Sequence, residues 1–334
     1  MIRALGVAAA LVAVAAGAML LSGANPLLGF WALFRGALGG EQQIAETLVQ
    51  TTSLLFPSLA VAFAFRAGLF NIGAEGQLIV GGLLAGVIGA RLGAPGWIAI
   101  PVLLLAGAFG GAAWSSIAGV LRARFGGSEV IATLMLNIVA ALLANYLVVG
   151  PLHSPGAAGP ETAELPLGSW LPTLLPGTRL SLALPLALVL ALVLRWVFDR
   201  TVFGYELRAA GDAPEAARRA GIDLGRTAFL AMALSGAMAG LGGATIVTGV
   251  LHRFNVSLSP GYGFIAIAVA LVGDLNPLRI VLASFAFGIL QSGSLTMQAL
   301  AHVPKDVVSF VEGLAILALA ARRFVADRLK TAPE

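Results

Sequence analysis

The chain contains no cysteine, only three histidines and three tyrosines, and only 11% charged residues. The missing cysteine excludes disulfides and thiol chemistry and leaves the redox compartment unread. Its two lysines, Lys305 after Val-Pro and Lys330 after Arg-Leu, both lie outside any Gly-x-x-x-x-Gly-Lys-Ser/Thr phosphate loop, so that route to ATP hydrolysis is closed. His153, His252 and His302 fall in or near expected outer loops. None has the carboxylate or second histidine at the spacing a metal site needs, so they read as surface residues. The scarcity of charge is itself informative, because soluble domains carry about 25% charged residues. Here 59% of residues are hydrophobic, and the mean hydropathy is +0.95. One soluble core cannot hide that much apolar surface, and several runs reach the roughly 20 residues that cross a bilayer as helix. The isoelectric point near 10.1 reflects membrane topology and not nucleic-acid binding, since the net charge is only +4.

The expected fold is all-α: a polytopic membrane bundle of about ten helices, at 4–22, 48–65, 71–90, 96–121, 129–149, 180–198, 227–250, 261–273, 278–296 and 306–321. With the N-terminus inside, Arg35, Arg91, Arg179, Arg253 and Lys305 fall outside and the other fifteen of the 20 basic residues fall inside. That bias follows the positive-inside rule and places both termini in the cytoplasm. The apolar run Ala4–Leu21 is longer than a signal-peptide core, which favours an uncleaved first span. The whole of 1–334 reads as one transmembrane domain with a cytoplasmic tail at 322–334.

Two outer segments stand apart. Residues 25–46, with Pro26, Trp31, Phe34 and Arg35, suit an interfacial stretch. The 150–180 segment holds six of the 16 prolines and reads as an extended outer loop, either a spacer or a landing surface for a partner. Gly82/Gly86, Gly107/Gly111 and Gly236/Gly240 form small-xxx-small pairs that let helices pack closely in lipid.

The longest polar interruption, 199–226, carries five acidic and five basic residues between apolar runs. So compact and charge-balanced a segment is suited to being gripped by something in the cytoplasm. Within it, Gly211–Ile222 has helix-start chemistry at Pro214 and Glu215 and a glycine stop at Gly221. Asp212 or Ala213 lies just ahead, and Ala216, Ala217 and Ala220 give a low-profile surface.

The other candidates are polar residues at membrane depth. Asn71, Glu75 and Gln77 lie in a Gly-rich stretch tolerable only if buried or lining a cavity. Ser128-Glu129 reads as a helix cap followed by a first-turn acid. Asn137 follows on that helix, with Asn145 eight residues on and nearly on the same face. Gly273–Pro277 reads as an inner turn, and Glu312 is a charge inside an apolar run, facing the bundle interior or protonated. Asn71, Glu75, Gln77, Asn137 and Glu312 are therefore the translocation-pathway candidates. No catalytic or metal-binding constellation stands out.

Four stretches occur in order: Phe65-Arg-Ala-Gly-Leu-Phe-Asn-Ile-Gly-Ala-Glu-Gly-Gln77, Ser128-Glu-Val-Ile-Ala-Thr-Leu-Met-Leu-Asn137, the charged loop, and Gly261 to Pro277. Together they resemble the permease subunits of bacterial ABC importers of the branched-chain amino acid, ribose and simple-sugar group. The resemblance is strongest to the larger of the two paired permeases of the nucleoside-type branch, and it covers roughly residues 25–320. Gly127-Ser128, Asp212-Ala213 and Glu312 depart from the usual pattern. The resemblance implies that Gly211, Asp212, Pro214, Glu215, Ala216, Ala217, Arg218, Gly221 and Ile222 form a coupling helix seated in a groove of an ATPase subunit. It implies ATP and Mg on that ATPase, with no cofactor on this chain. It also implies a second, paralogous permease, an extracytoplasmic binding protein or lipoprotein, and a place in the bacterial inner membrane. Nucleosides are the implied solutes, with a simple sugar as the alternative. A reading of another class is an ion-coupled carrier using Glu75, Asp274 or Glu312, which the charged loop argues against.

Overall fold

The computed structural model describes residues 2–157, 159–304, 306–310 and 313–314, so Glu312 lies outside the described residues. The protein is all-α. Among the described residues the α-helices include α1 (Ile2–Leu21), α2 (Pro26–Leu38), α3 (Glu41–Arg66), α4 (Ala74–Gly89), α5 (Gly96–Phe125), α6 (Glu129–Val149), α7 (Ala183–Arg200), α8 (Val202–Asp212), α9 (Pro214–Arg219), α10 (Leu224–Ile246), α11 (Tyr262–Val272) and α12 (Pro277–Ala301). Among the described residues five helices have the length and composition to cross a membrane: α3, α5, α6, α10 with its extension to Leu251, and α12. The chain forms two compact units, one of residues 1–51 with 285–334 and one of residues 52–284.

In the first unit, the stretch expected at the interface is a helix. Asn25 caps α2 through its side chain, Pro26 starts it, and it turns away from the end of α1 by 114°. The bent pair is long and apolar enough to make a sixth span. Met19, Ala32, Leu33 and Met297 lie in its core. Helix α3 begins at Glu41, seven residues earlier than the apolar run suggested, because its first two turns are polar yet helix-compatible.

The second unit is built on a glycine seam. A methyl group on Gly81 would collide with Gly240, one on Gly236 with Gly111, and one on Gly243 with Leu78. Helices α4, α5 and α10 thus approach backbone to backbone, the arrangement that substitutes for a hydrophobic driving force in lipid. Helix α6 is the opposite case, with only 22% of its span buried. Asn137 points inward and Asn145 outward. Eight residues at about 100° each leave a gap of roughly 80° from a full turn, enough to part the two.

The 150–180 segment is a folded loop. It packs on the end of α10, where the helix widens into a π-turn at Val247–Leu251. Thr162 and Leu165 donate backbone hydrogen bonds to Phe254 and His252 at 2.9 and 2.8 Å, and Arg253 bridges Glu161 and Glu164 at 2.7 and 3.0 Å. His252, expected on the surface, is half-buried and stacked on Trp170 with ring centroids 3.6 Å apart. His153 and His302 are exposed.

Candidate functional site

Two helices of the second unit are too short to cross a bilayer alone. At roughly 1.5 Å per residue, α4 is about 24 Å long and α11 about 16 Å, against a hydrocarbon core of about 30 Å. Their first turns meet. Glu75 Oε2 accepts a hydrogen bond from the Gly263 N–H at 2.7 Å, with Ser259 and the Gly261 N–H also on that carboxyl. Gly263 is essential to the approach, since a methyl there would lie 2.8 Å from the Ala74 carbonyl carbon. From this junction the helices run opposite ways. The far end of α4 reaches the 150–180 loop, where Gly89 abuts Leu165. Past the far end of α11, the Leu275 carbonyl accepts from the Arg66 guanidinium at 3.3 Å.

A sealed polar knot lies beside the junction. Asn71 and Gln77 pair amide to amide, with Nδ2 to Oε1 at 3.0 Å and Nε2 to Oδ1 at 2.9 Å. Asn71 Nδ2 also donates to Ser235 Oγ at 2.8 Å, and that hydroxyl donates to the Ala60 carbonyl at 2.6 Å. Asn137 Oδ1 accepts from the Gly76 N–H at 2.8 Å while its Nδ2 donates to the Ile72 carbonyl at 2.9 Å. Thr133 Oγ1 accepts from the Ile72 N–H at 3.3 Å. In the unwound 67–73 segment the N–H groups of Ala67, Gly68 and Leu69 thus bond the last carbonyls of α3, and side chains satisfy Ile72 and the Gly73 N–H, which makes non-helical backbone tolerable inside a membrane. Ser235 sits about 16 Å along α10 from Leu224, near mid-bilayer depth.

Four of the five pathway candidates thus meet in one place, and all are buried: Asn71 is 0%, Gln77 1%, Asn137 5% and Glu75 7% exposed. Thr133, Ser235 and Ser259 belong to the same cluster and were missed. Thr133 lies four residues before Asn137, a helical spacing that shares a face; Ser235 and Ser259 carry no such mark. Asp274 forms an ion pair with Arg279 at 2.9 Å, away from the knot. Glu129 is buried and pairs with Arg122 at 3.5 Å, and Ser128 caps α6 through the Ile131 N–H. Among the described residues no three His, Asp or Glu side chains converge as a metal site would need.

The charged loop folds as two short helices. Thr201 caps α8 through the Gly204 N–H at 3.0 Å. Pro214 opens α9, Glu215 lies in its first turn, and Gly221 follows with φ +88°. The positive φ is the glycine stop that ends a helix. Ala217 and Gly211 turn into the chain, whereas Asp212, Pro214, Glu215, Ala216, Arg218, Ala220 and Gly221 are exposed and Ile222 is half-buried. Gly211 lies against Gly68, with room for no side chain. Next to this contact a cavity of about 410 Å³ opens, lined by Gly68, Arg122, Gly126, Gly211, Pro214 and Arg218 among others.

Comparison with known proteins places this architecture. Residues 43–320 match the family described as "Branched-chain amino acid transport system / permease component". The chain is 37% identical over 330 residues to the guanosine ABC transporter permease protein NupP of Bacillus subtilis, covering 96% of this chain and 95% of that one. It is 32% identical over 326 residues to the glucose ABC transporter permease protein TsgB13 of Haloferax volcanii, covering 94% and 86%. Likewise, it is 32% identical over 314 residues to the nucleoside ABC transporter permease protein NupB of Lactococcus lactis, covering 91% and 86%. Five apolar spans, a glycine-packed interior and these relatives agree: the chain is a multi-pass membrane protein belonging to the ABC-transporter permease family of the branched-chain amino acid type.

Proposed function

We propose that the chain is the transmembrane permease subunit of an ATP-driven importer in the bacterial inner membrane, carrying nucleosides or closely related polar, ring-bearing solutes. The observation that carries this reading is α9. It is a short helix anchored by the buried Ala217 and preceded by the half-buried Gly211 at the end of α8, with the small residues Ala216, Ala220 and Gly221 turned outward. A spacer needs no such construction; a docking element does. A separate ATPase subunit holding ATP and Mg receives it, and this chain binds neither. Arg122, paired with Glu129, and Arg218, paired with Glu215, line the neighbouring cavity.

The α8–α9 end and both termini lie in the cytoplasm, in accord with the basic-residue bias. The 150–180 loop then faces outward and receives a loaded binding protein or lipoprotein. A second permease completes the pathway, since the guanosine ABC transporter permease proteins NupP and NupQ of Bacillus subtilis are both similar to this chain. Asn71, Glu75, Gln77 and Asn137 act in transport by holding the α4–α11 junction as the subunits move between two states. Glu312 remains a pathway candidate on sequence grounds.

A simple sugar is the second reading, favoured by the likeness to the glucose permease protein TsgB13. Uptake of labelled guanosine and labelled glucose by cells with and without the gene separates the two. Loss of guanosine uptake alone upholds the first, and loss of glucose uptake alone replaces it with the second.

A further inference from the structure

The sealed knot leaves open which side chains touch the solute, because every amide atom of Asn71, Gln77 and Asn137 already has a protein partner. A second set of amides lies in the other unit. Helix α3 carries Gln43, Glu46 and Gln50, three and four residues apart, and α12 carries Gln291 and Gln298, seven apart. Each spacing makes one stripe along a helix. Gln50 lies about 14 Å into α3 from Glu41, and Gln291 about 15 Å from the Ala301 end of α12, so both reach the middle of a core about 30 Å thick.

The packing brings the two stripes to one side. A methyl on Gly288 of α12 would lie 2.8 Å from the Thr47 carbonyl oxygen and 3.1 Å from the Thr51 nitrogen, which fixes the contact line between the helices. Measured from Thr51, Gln50 and Gln43 are turned by roughly −100° and −80°; measured from Gly288, Gln291 and Gln298 are turned by roughly −60° and −80°. The helices run antiparallel, since Arg66 at the far end of α3 bonds Leu275 just before α12. In an antiparallel pair, rotations of the same sign point to the same side. The result is a strip of amides with one carboxylate, Glu46, which accepts from Gln50 Nε2 at 3.0 Å. Gln43 is exposed, and Glu46, Gln50, Gln291 and Gln298 are half-buried, whereas the knot is closed.

Amides at this depth are costly against lipid and are tolerated where they face protein or water. We propose that Gln43, Glu46, Gln50, Gln291 and Gln298 form a wall of the water-filled route and hydrogen-bond the passing solute. The chemistry suits an uncharged solute rich in donors and acceptors, because each glutamine offers both in one group without fixing a counter-charge. The base edges and ribose hydroxyls of a nucleoside meet that description. The identity of the solute rests on the proposed function; the wall itself does not.

The absence of native cysteine makes the test direct. Gln50→Cys, Gln291→Cys and, as a lipid-facing control on α6, Leu142→Cys are made singly in the assembled complex in membrane vesicles. They are then treated with a cationic methanethiosulfonate reagent with and without guanosine. The wall predicts modification at positions 50 and 291 well above that at 142, and slowing of both by guanosine under transport conditions. Rates equal to the Leu142→Cys control overturn it. Modification without guanosine protection, in a complex that imports guanosine, overturns the solute contact. In a complex that imports glucose and not guanosine, water access with protection by glucose upholds the wall and rejects only the nucleoside assignment. Gln50→Leu and Gln291→Leu should each slow uptake about tenfold, the equivalent of one hydrogen bond of about 1.4 kcal/mol, with the ATPase subunit still bound. Uptake at the parent rate in both contradicts the proposal.

Discussion

Gly68 and Gly211 meet backbone to backbone: a methyl on Gly211 would lie 2.8 Å from the Gly68 nitrogen, and one on Gly68 would lie 3.0 Å from the Gly211 Cα. The contact ties the segment after α3 to the last turn of α8. Movement imposed on α8–α9 therefore has a rigid path to the unwound segment that begins α4. Gly68 also has φ +72°, a conformation that costs a residue with a side chain about 1–2 kcal/mol. Gly211→Val should destabilise the protein by about 1–3 kcal/mol through overpacking, read as a lower melting temperature in detergent. An unchanged melting temperature would mean the two segments are not in contact.

Ala216, Ala220 and Gly221 are exposed whereas Ala217 is 3% exposed. Under the proposed docking, bulk at the first three meets the partner, and bulk at Ala217 meets this chain. Ala216→Trp and Ala220→Trp should leave the melting temperature within about 0.5 kcal/mol of the parent in stability, while releasing the ATPase on purification or uncoupling hydrolysis from uptake. Ala217→Trp should instead lower stability. Equal behaviour of all three would remove the distinction between the two faces of α9.

Asn137 satisfies the Gly76 N–H and the Ile72 carbonyl at once. Asn137→Leu keeps the volume and orphans both buried groups, each worth about 1–3 kcal/mol. Less folded protein should be recovered from membranes, with the loss shared by Gln77→Leu. A fully stable Asn137→Leu protein with lost uptake would assign Asn137 to the solute instead.

Burial holds the His252 imidazole below its usual pKa; Glu164 opposes the shift, and nearby Arg253 adds to it. Because the folded protein binds this proton less readily than the unfolded chain, stability of the loop contact is full above the ordinary imidazole pKa of about 6.5 and falls as pH drops through the lowered value. Hydrogen exchange at residues 161–171, corrected for intrinsic rate, should be faster at pH 5 than at pH 7.5. Equal protection at the two pH values would show that the Trp170 stack does not depend on neutral His252.

Much of this was legible from residue types. Pro214 and Gly221 bracket α9 because each has one dominant conformational preference, and the apolar runs of α5, α6 and α10 exceed any soluble requirement. Asn71, Glu75, Gln77 and Asn137 were legible as interior because lipid excludes them. The α2 helix was not, since aromatic and proline content at an interface fits helix and loop alike. Nor was the start of α4: the Ile72 backbone groups just ahead of it are satisfied by Asn137 and Thr133, some 60 residues away. The outward turn of Asn145 shows how a small error in helical phase, repeated over two turns, moves a side chain from core to surface.

The central claim is that a separate ATPase, engaged through α9, drives import through this chain. Its most direct test is guanosine uptake into vesicles holding the complex purified through this permease, supplied with its binding protein, with ATP inside and a protonophore present. Accumulation that requires ATP, survives the protonophore and is lost in Ala220→Trp is the predicted result. Accumulation that needs no ATP and collapses with the protonophore would make the protein an ion-coupled carrier and contradict the account.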